Sequence, residues 1–330
     1  MFKICVIGCG WISDFGHGKA YQKYVELNPD VELSACCDIN ENRAAAFKAK
    51  YGFKRFETDY LRMLKNEKPD AVCLNVPDNL IAPFAEEVLK GGYPLLMEKP
   101  PGINVQETLH LIKVAEETGT SNMVAFNRRF MPIIQLMKKV INESGETNNL
   151  QNIQYNLFRH KRTESNFEIT AIHGVDAVRY LTGSDYKKVY FNYQLLPEYG
   201  DNVMNIYMYC EMESGVRAVL TFSPASGSVI ERVTVNSFNN SFFAEIPVWD
   251  SMDAPGKVVS ITKNEIVKEI YQNRNVKGLE EFQSHGFYDE DIIFFDLVRS
   301  GQNPSLTVAH SLQTAEIMEC IREKRSKYSG

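Results

Sequence analysis

A short apolar run, Phe2–Ile7, leads into Gly8-Cys9-Gly10-Trp11-Ile12-Ser13 and then into a stretch with helical periodicity. No other feature constrains the fold as much. A continuous apolar run reads as a strand covered on both faces. Gly8 permits a tight turn. Gly10 lets the backbone come close to an anion at a helix N-terminus, where unpaired N–H groups favour negative charge. Trp11 and Ile12 open the helix beside that turn. Ser13 takes the place of a third glycine and is still small enough for close helix–sheet packing.

The same alternation repeats along the first part of the chain. A helix is expected over residues 12–27, stopped by Asn28-Pro29-Asp30, followed by the strand Val31–Cys37. Asn40 can cap a helix over 41–50, with Gly52 just past its end. Further strands are expected at 71–76, 95–97 and 123–126, with helices at 81–90 and Val105–Thr118. Such β-α alternation builds a doubly wound parallel sheet.

The pattern changes near residue 130. After a helix over 132–144 come runs rich in β-branched and aromatic residues, at 153–158, 189–196, 203–212, 216–222, 233–238 and 258–261. Polar and apolar residues often alternate in them, as in an antiparallel sheet with one covered face. Helices are expected at 169–181, 289–300 and 307–324. The fold class is therefore α/β. A Rossmann-type domain over 1–126 precedes an α+β domain over 127–330 that binds substrate and oligomerises through a large open, mostly antiparallel sheet. The C-terminal helix is expected to pack back on the first domain.

Asp38 ends the second strand, where a carboxylate can accept hydrogen bonds from an adenosine ribose and repel a 2′-phosphate. NAD is thus expected over NADP. The Gly16-His17-Gly18 segment explains why Asp38 stands further from the glycines than usual. Pro77 follows the third long strand. Glu98-Lys99-Pro100 follows the next one and would deliver Lys99 to the cofactor's reactive end, with Glu98 and Pro100 shaping the turn; the Pro100 peptide is a candidate for the cis form. Asn127 follows the last Rossmann strand and can reach the nicotinamide end.

The balance of 36 basic and 42 acidic residues gives a net charge of −6, which leaves no basic footprint for nucleic acid or a polybasic membrane surface. Apolar runs are too short for a membrane span. Seven cysteines without zinc or redox spacing read as buried thiols in a reducing cytoplasm, and six scattered histidines form no metal motif.

Taken together, Gly8-Cys9-Gly10-Trp11-Ile12-Ser13, Asp38, Glu98-Lys99-Pro100, Phe126-Asn127-Arg128-Arg129-Phe130 and His173-Gly174-Val175-Asp176 stand in the order of the glucose–fructose oxidoreductase and inositol dehydrogenase family (Gfo/Idh/MocA), which this chain resembles over nearly its whole length. The resemblance implies hydride transfer between NAD(P) and a hydroxyl or carbonyl carbon of a sugar, sugar derivative or cyclitol. Lys99 matches the family lysine that contacts the nicotinamide ribose and the substrate oxygen, and His173 the acid/base histidine. Asp176 and Arg159 are candidate substrate contacts, and a cleft between the domains is the expected site. Two positions depart from the pattern. Ile169 stands where many members carry an aspartate one turn before the histidine. Ile81 stands where a histidine often lies near the nucleotide. Two other activities stay open on these residues, glycoside cleavage through transient oxidation by bound NAD and non-catalytic sensing of a ligand. Arg159-His160-Lys161-Arg162 reads as a solvated strand end, with the alternative of an anion contact. Arg128 and Arg129 are expected to pair with local acids. Tyr155, Tyr193, Tyr207 and Tyr209 suit a subunit interface, and a homodimer or homotetramer is expected.

Overall fold

The computed structural model describes residues 1–249, 251–272 and 279–330. The chain divides into two compact units, one of Met1–Asn127 with Glu281–Ala315, the other of Arg128–Glu280 with Glu316–Gly330. The first unit thus takes up a segment from the far end of the sequence as well as the N-terminal part.

In the first unit, strands β1 (Phe2–Ile7), β2 (Val31–Cys37), β3 (Arg55–Glu57), β4 (Ala71–Leu74), β5 (Leu95–Glu98) and β6 (Asn122–Ala125) form one parallel sheet in the order β3-β2-β1-β4-β5-β6. β4, β5 and β6 are buried at every residue, as expected for strands covered on both faces. The intervening helices are α1 (Gly18–Leu27), α2 (Glu41–Tyr51), α3 (Tyr60–Glu67), α4 (Asp78–Lys90) and α5 (Val105–Thr118). Their ends follow local chemistry. The side chain of Asn40 accepts from the Arg43 N–H, and left-handed Gly52 closes α2.

The expected first helix runs on from Trp11 to Leu27, but Ser13–His17 within it is a π-helical turn, and the regular helix α1 resumes at Gly18. Two glycines explain how the wide turn fits. A Cβ on Gly16 would stand 2.8 Å from the Phe287 ring, and one on Gly18 would stand 2.5 Å from the Tyr51 ring.

The second unit begins with α6 (Pro132–Glu143) and also holds α7 (Glu168–Thr182). Its sheet has nine strands: β7 (Asn152–Phe158), β8 (Tyr186–Leu195), β9 (Met204–Met212), β10 (Arg217–Ser223), β11 (Ile230–Asn236), β12 (Asn240–Glu245), β13 (Lys257–Thr262), β14 (Glu265–Tyr271) and β15 (Lys327–Ser329). The order is β14-β13-β12-β11-β7-β10-β9-β8-β15, antiparallel except for the β7–β10 pair. One face carries the apolar core that includes α6 and α7. The other bears a register row of Tyr190, Tyr209, Val219, Gln154, Thr234, Phe243 and Val259, none of them buried.

Among the described residues, the other α-helices are α8 (Glu281–Ser284), α9 (Phe287–Arg299) and α10 (Val308–Arg322). α8 and α9 belong to the first unit, and Tyr24 of α1 donates to Asp296 of α9 at 2.6 Å. No described helix is long and apolar enough to cross a membrane.

Candidate active site

At the end of β1 the chain turns at Gly8 with φ +95°, a conformation that suits glycine. A Cβ there would stand 2.3 Å from the Asn75 carbonyl oxygen, so the close approach of the two strand ends also demands glycine. At Gly10 a Cβ would meet nothing within 4 Å. The open space beside it is where a ligand's phosphates can approach the backbone. Ser13 is fully buried and donates to the Gly8 carbonyl at 2.6 Å, so the residue replacing the third glycine ties the turn to the helix. Trp11 is exposed and stacks on Phe15, with ring centroids 5.1 Å apart. Ile12 precedes the π turn.

Asp38 closes β2 and is nearly buried. Its carboxylate accepts from the Cys9 N–H at 3.0 Å and the Asn40 N–H at 2.9 Å, while the Arg43 guanidinium stands 3.5 Å away. Cys9, Gly10, Trp11, Asp14, Arg43, Ala46, Phe47 and Lys50 line an open pocket of about 560 Å³ on this side of the turn. These residues fit a dinucleotide: a turn with room for phosphate, a helix N-terminus and a carboxylate at the adenosine end.

Pro77 is the residue before α4, as an exposed corner of the next loop. Ile81 is buried within α4, so that position serves the core. β5 ends at Glu98, and the Lys99–Pro100 peptide is cis. The Lys99 side chain is half-buried, and its N–H donates to Glu98 at 3.2 Å. Glu98 itself accepts from, or shares a proton with, His17 Nε2 at 3.1 Å, and His17 Nδ1 lies 2.9 Å from Asp291. Of this buried trio, the sequence showed Glu98 as part of the lysine turn and His17 only as part of a spacer segment. His17, Glu290 and Asp291 bring their ligand atoms within 4.8 Å of one another, the geometry of a possible cation group. Both His17 nitrogens already face carboxylates, and an imidazolium fills that role without a metal.

In the second unit His173 is half-buried on α7. The next residue, Gly174, lets the helix lie against the sheet, since a Cβ there would stand 2.7 Å from Phe222 and 2.9 Å from Tyr155. Ile169 is half-buried one turn earlier.

Four expectations need correction or refinement. Asp176 is not available as a substrate contact, because it is fully buried and both its oxygens accept from Arg129, at 2.7 and 2.6 Å. Arg159 is neither solvated nor free for an outside anion. It is buried, its guanidinium pairs with Glu231, and it donates to the Phe158 and Ile230 carbonyls at 3.0 and 3.2 Å. Tyr155 is no interface residue, as it is fully buried with its hydroxyl on the same Glu231. Asn127 is buried, and its amide nitrogen donates to the His285 carbonyl at 3.0 Å, which leaves less of it to meet a nicotinamide. The acids that Arg128 and Arg129 find are Glu231 and Asp176, both distant in sequence.

Residues 2–126 match the NAD-binding Rossmann-fold oxidoreductase family GFO_IDH_MocA. That match covers the N-terminal Rossmann segment, less than half of the chain. Among relatives, it is 26% identical over 193 residues to the uncharacterized oxidoreductase YrbE of Bacillus subtilis, covering 56% of this chain and 55% of that one. It is 28% identical over 148 residues to scyllo-inositol 2-dehydrogenase (NADP(+)) IolU of Bacillus subtilis, covering 44% and 43%. The chain thus spans about half the length of the curated relatives it matches. Its fold is similar over 100% of its length to an oxidoreductase domain protein from Kribbella flavida, with a TM-score of 0.84, 18% identity and 99% of that chain covered. The GFO_IDH_MocA match rests on the unit that holds Gly8, Gly10, Asp38 and Lys99.

Proposed function

We propose that this chain is an NAD-dependent oxidoreductase that moves a hydride between nicotinamide and a carbinol or carbonyl carbon of a sugar, sugar derivative or cyclitol. The observation that carries the reading is the unit holding an open glycine turn, a strand-end carboxylate and a lysine on a turn fixed by Glu98. Bound NAD supplies the hydride acceptor. Gly8, Gly10, Trp11, Ile12, Asp38 and Pro77 would hold it. The Lys99 ammonium stabilises the developing alkoxide, or polarises a carbonyl in reverse. His173 takes the hydroxyl proton. Its helix is secured by the Arg129–Asp176 pair and the close approach at Gly174. A screen of polyols and sugar acids with NAD, reading absorbance of the reduced cofactor, tests the reading; a chain that binds NAD and oxidises none of them would favour the sensor.

If His173 is the proton acceptor, oxidation should fall at acid pH, where a protonated imidazole cannot take the hydroxyl proton. His173→Asn should slow the chemical step and abolish that limb while NAD affinity holds. Ile169→Asp, which adds a carboxylate one turn away, should move the limb to higher pH. An unchanged rate and profile in His173→Asn would assign it to packing alone.

Asp38 supports NAD over NADP, while Arg43 at 3.5 Å is a cation that tempers the preference. Calorimetry should give tighter binding of NAD(H), and Arg43→Ala should widen the gap. Equal or stronger NADP(H) binding by the unaltered protein would sink the assignment.

The uncovered sheet row from Tyr190 to Val259 supports a homodimer or homotetramer built on that face. Seven buried, unpaired thiols fit a reducing, cytoplasmic setting.

A further inference from the structure

His17 has no exposed surface, and both ring nitrogens face carboxylates: Nδ1 at 2.9 and 3.0 Å from the two Asp291 oxygens, Nε2 at 3.1 Å from Glu98 Oε1. Glu98 uses its other oxygen to accept the Lys99 N–H. A neutral imidazole has a single N–H and can donate to only one of the two acids. Charging the ring satisfies both. Burial opposes that charge, but Asp291 and Glu98 outweigh it and hold the His17 pKa well above the ordinary value. Burial pushes Asp291 up to about 6, against the pull of His17. The other groups around the ring are Glu290 of α9, in the same pocket, Tyr21 of α1, stacked at 5.7 Å, and the Phe287 ring, edge-on at 5.0 Å. Cys73 lies within electrostatic range of Asp291 and Tyr21.

We propose that His17 is a positioning residue for Lys99, a buried imidazolium that clamps Glu98, and through it the Lys99 main chain, to the helix following the glycine turn and to α9. The local sequence is built for it. Gly16 and Gly18 remove the side chains that would collide with Phe287 and Tyr51, and the π turn between Ser13 and His17 aims the ring inward. A buried charge with two hydrogen-bonded partners holds a fixed geometry, because losing either partner leaves an uncompensated buried ion. The function of the clamp rests on the reading of Lys99 as the lysine of the reacting site.

The test uses the full chain. ¹⁵N-histidine NMR near neutral pH, with the His17 signals identified by their loss in His17→Gln, should show both ring nitrogens protonated, unchanged by EDTA. A neutral ring would overturn the proposal. So would a metal-bound nitrogen accompanied by a divalent ion in elemental analysis, which would make this a cation site. Reductive ¹³C-methylation of the lysines then reads Lys99, identified by its loss in Lys99→Ala. Its signal should shift or broaden in His17→Gln and in Asp291→Asn, and stay put in His110→Gln, where an exposed histidine is altered. Asp291→Asn keeps the test decisive if His17→Gln does not fold. An unmoved Lys99 signal would refute the clamp. If Lys99→Ala leaves turnover intact, the reading of the site fails instead, and the NMR result still judges the clamp.

Discussion

Lys99→Ala lowers turnover by about 100-fold or more, the scale of losing an acid/base or oxyanion-stabilising group. Nucleotide affinity is retained, because the glycine turn and Asp38 lie elsewhere in the unit. The reason for the large effect is specificity of timing. An ammonium beside an oxygen that becomes an alkoxide interacts most strongly when charge has developed, so its loss raises the barrier more than it weakens binding. Lys99→Arg should recover little, since a planar guanidinium cannot reproduce a compact point charge on a turn fixed at its own N–H. The comparison needs kcat and KM on a substrate from the polyol screen, together with calorimetric NAD binding. Normal turnover by Lys99→Ala would remove the lysine from the chemistry.

Glu231→Gln destabilises the second unit by about 3–5 kcal/mol, the usual cost of breaking a buried ion pair by removing one member. Glu231 is fully buried and serves two guanidinium groups, Arg128 and Arg159, and the Tyr155 hydroxyl. The glutamine keeps the shape and leaves two cations in the interior with no carboxylate. Tyr155→Phe removes only one hydrogen bond and should cost about 1 kcal/mol. The same site gives an acid signature. Burial pushes the Glu231 carboxyl up, but Arg128 and Arg159 hold it down at about 2, against an ordinary value of 4.5. A depressed pKa contributes stability that is complete above 4.5 and lost as pH falls towards about 2. Denaturant titrations over that range should show the unaltered protein losing stability steeply and Glu231→Gln losing less. Matching midpoints at neutral pH would mean the cluster does not hold the unit.

Most of the framework was legible in the sequence because its signals are local. Phe2–Ile7, Val31–Cys37 and Val105–Thr118 match strands and a helix end for end, where apolar runs and caps carry the information. The short β3 and α3, and β12, β14 and β15 in the second sheet, escaped. β14 is an edge strand, exposed over most of its length, with no burial pattern to read, and β15 has only three residues. The positions of the glycine turn, Asp38 and the Glu98-Lys99-Pro100 turn could be read because each sits at a strand end. The roles of Arg159, Tyr155 and Asp176 could not. Each is decided by a partner far along the chain, Glu231 on β11 or Arg129 before α6, and a distant charge leaves no mark on local periodicity. His17 was hidden for the same reason: its partners are Glu98 on β5 and Asp291 on α9.

All seven cysteines are buried, five in the first unit and two, Cys210 and Cys320, in the second. Burial pushes the thiols of Cys5 and Cys37 up to about 12 and raises those of Cys73, Cys210 and Cys320 as well. Because the thiolate is the reactive form, the folded chain presents almost no nucleophilic sulfur to an alkylating reagent. Each unit therefore carries its own chemical clock. A modified Cys73 dates the opening of the six-stranded parallel sheet, and a modified Cys210 the opening of the nine-stranded one. Peptide mapping after brief labelling can thus order the two events without a spectroscopic probe or an engineered tag.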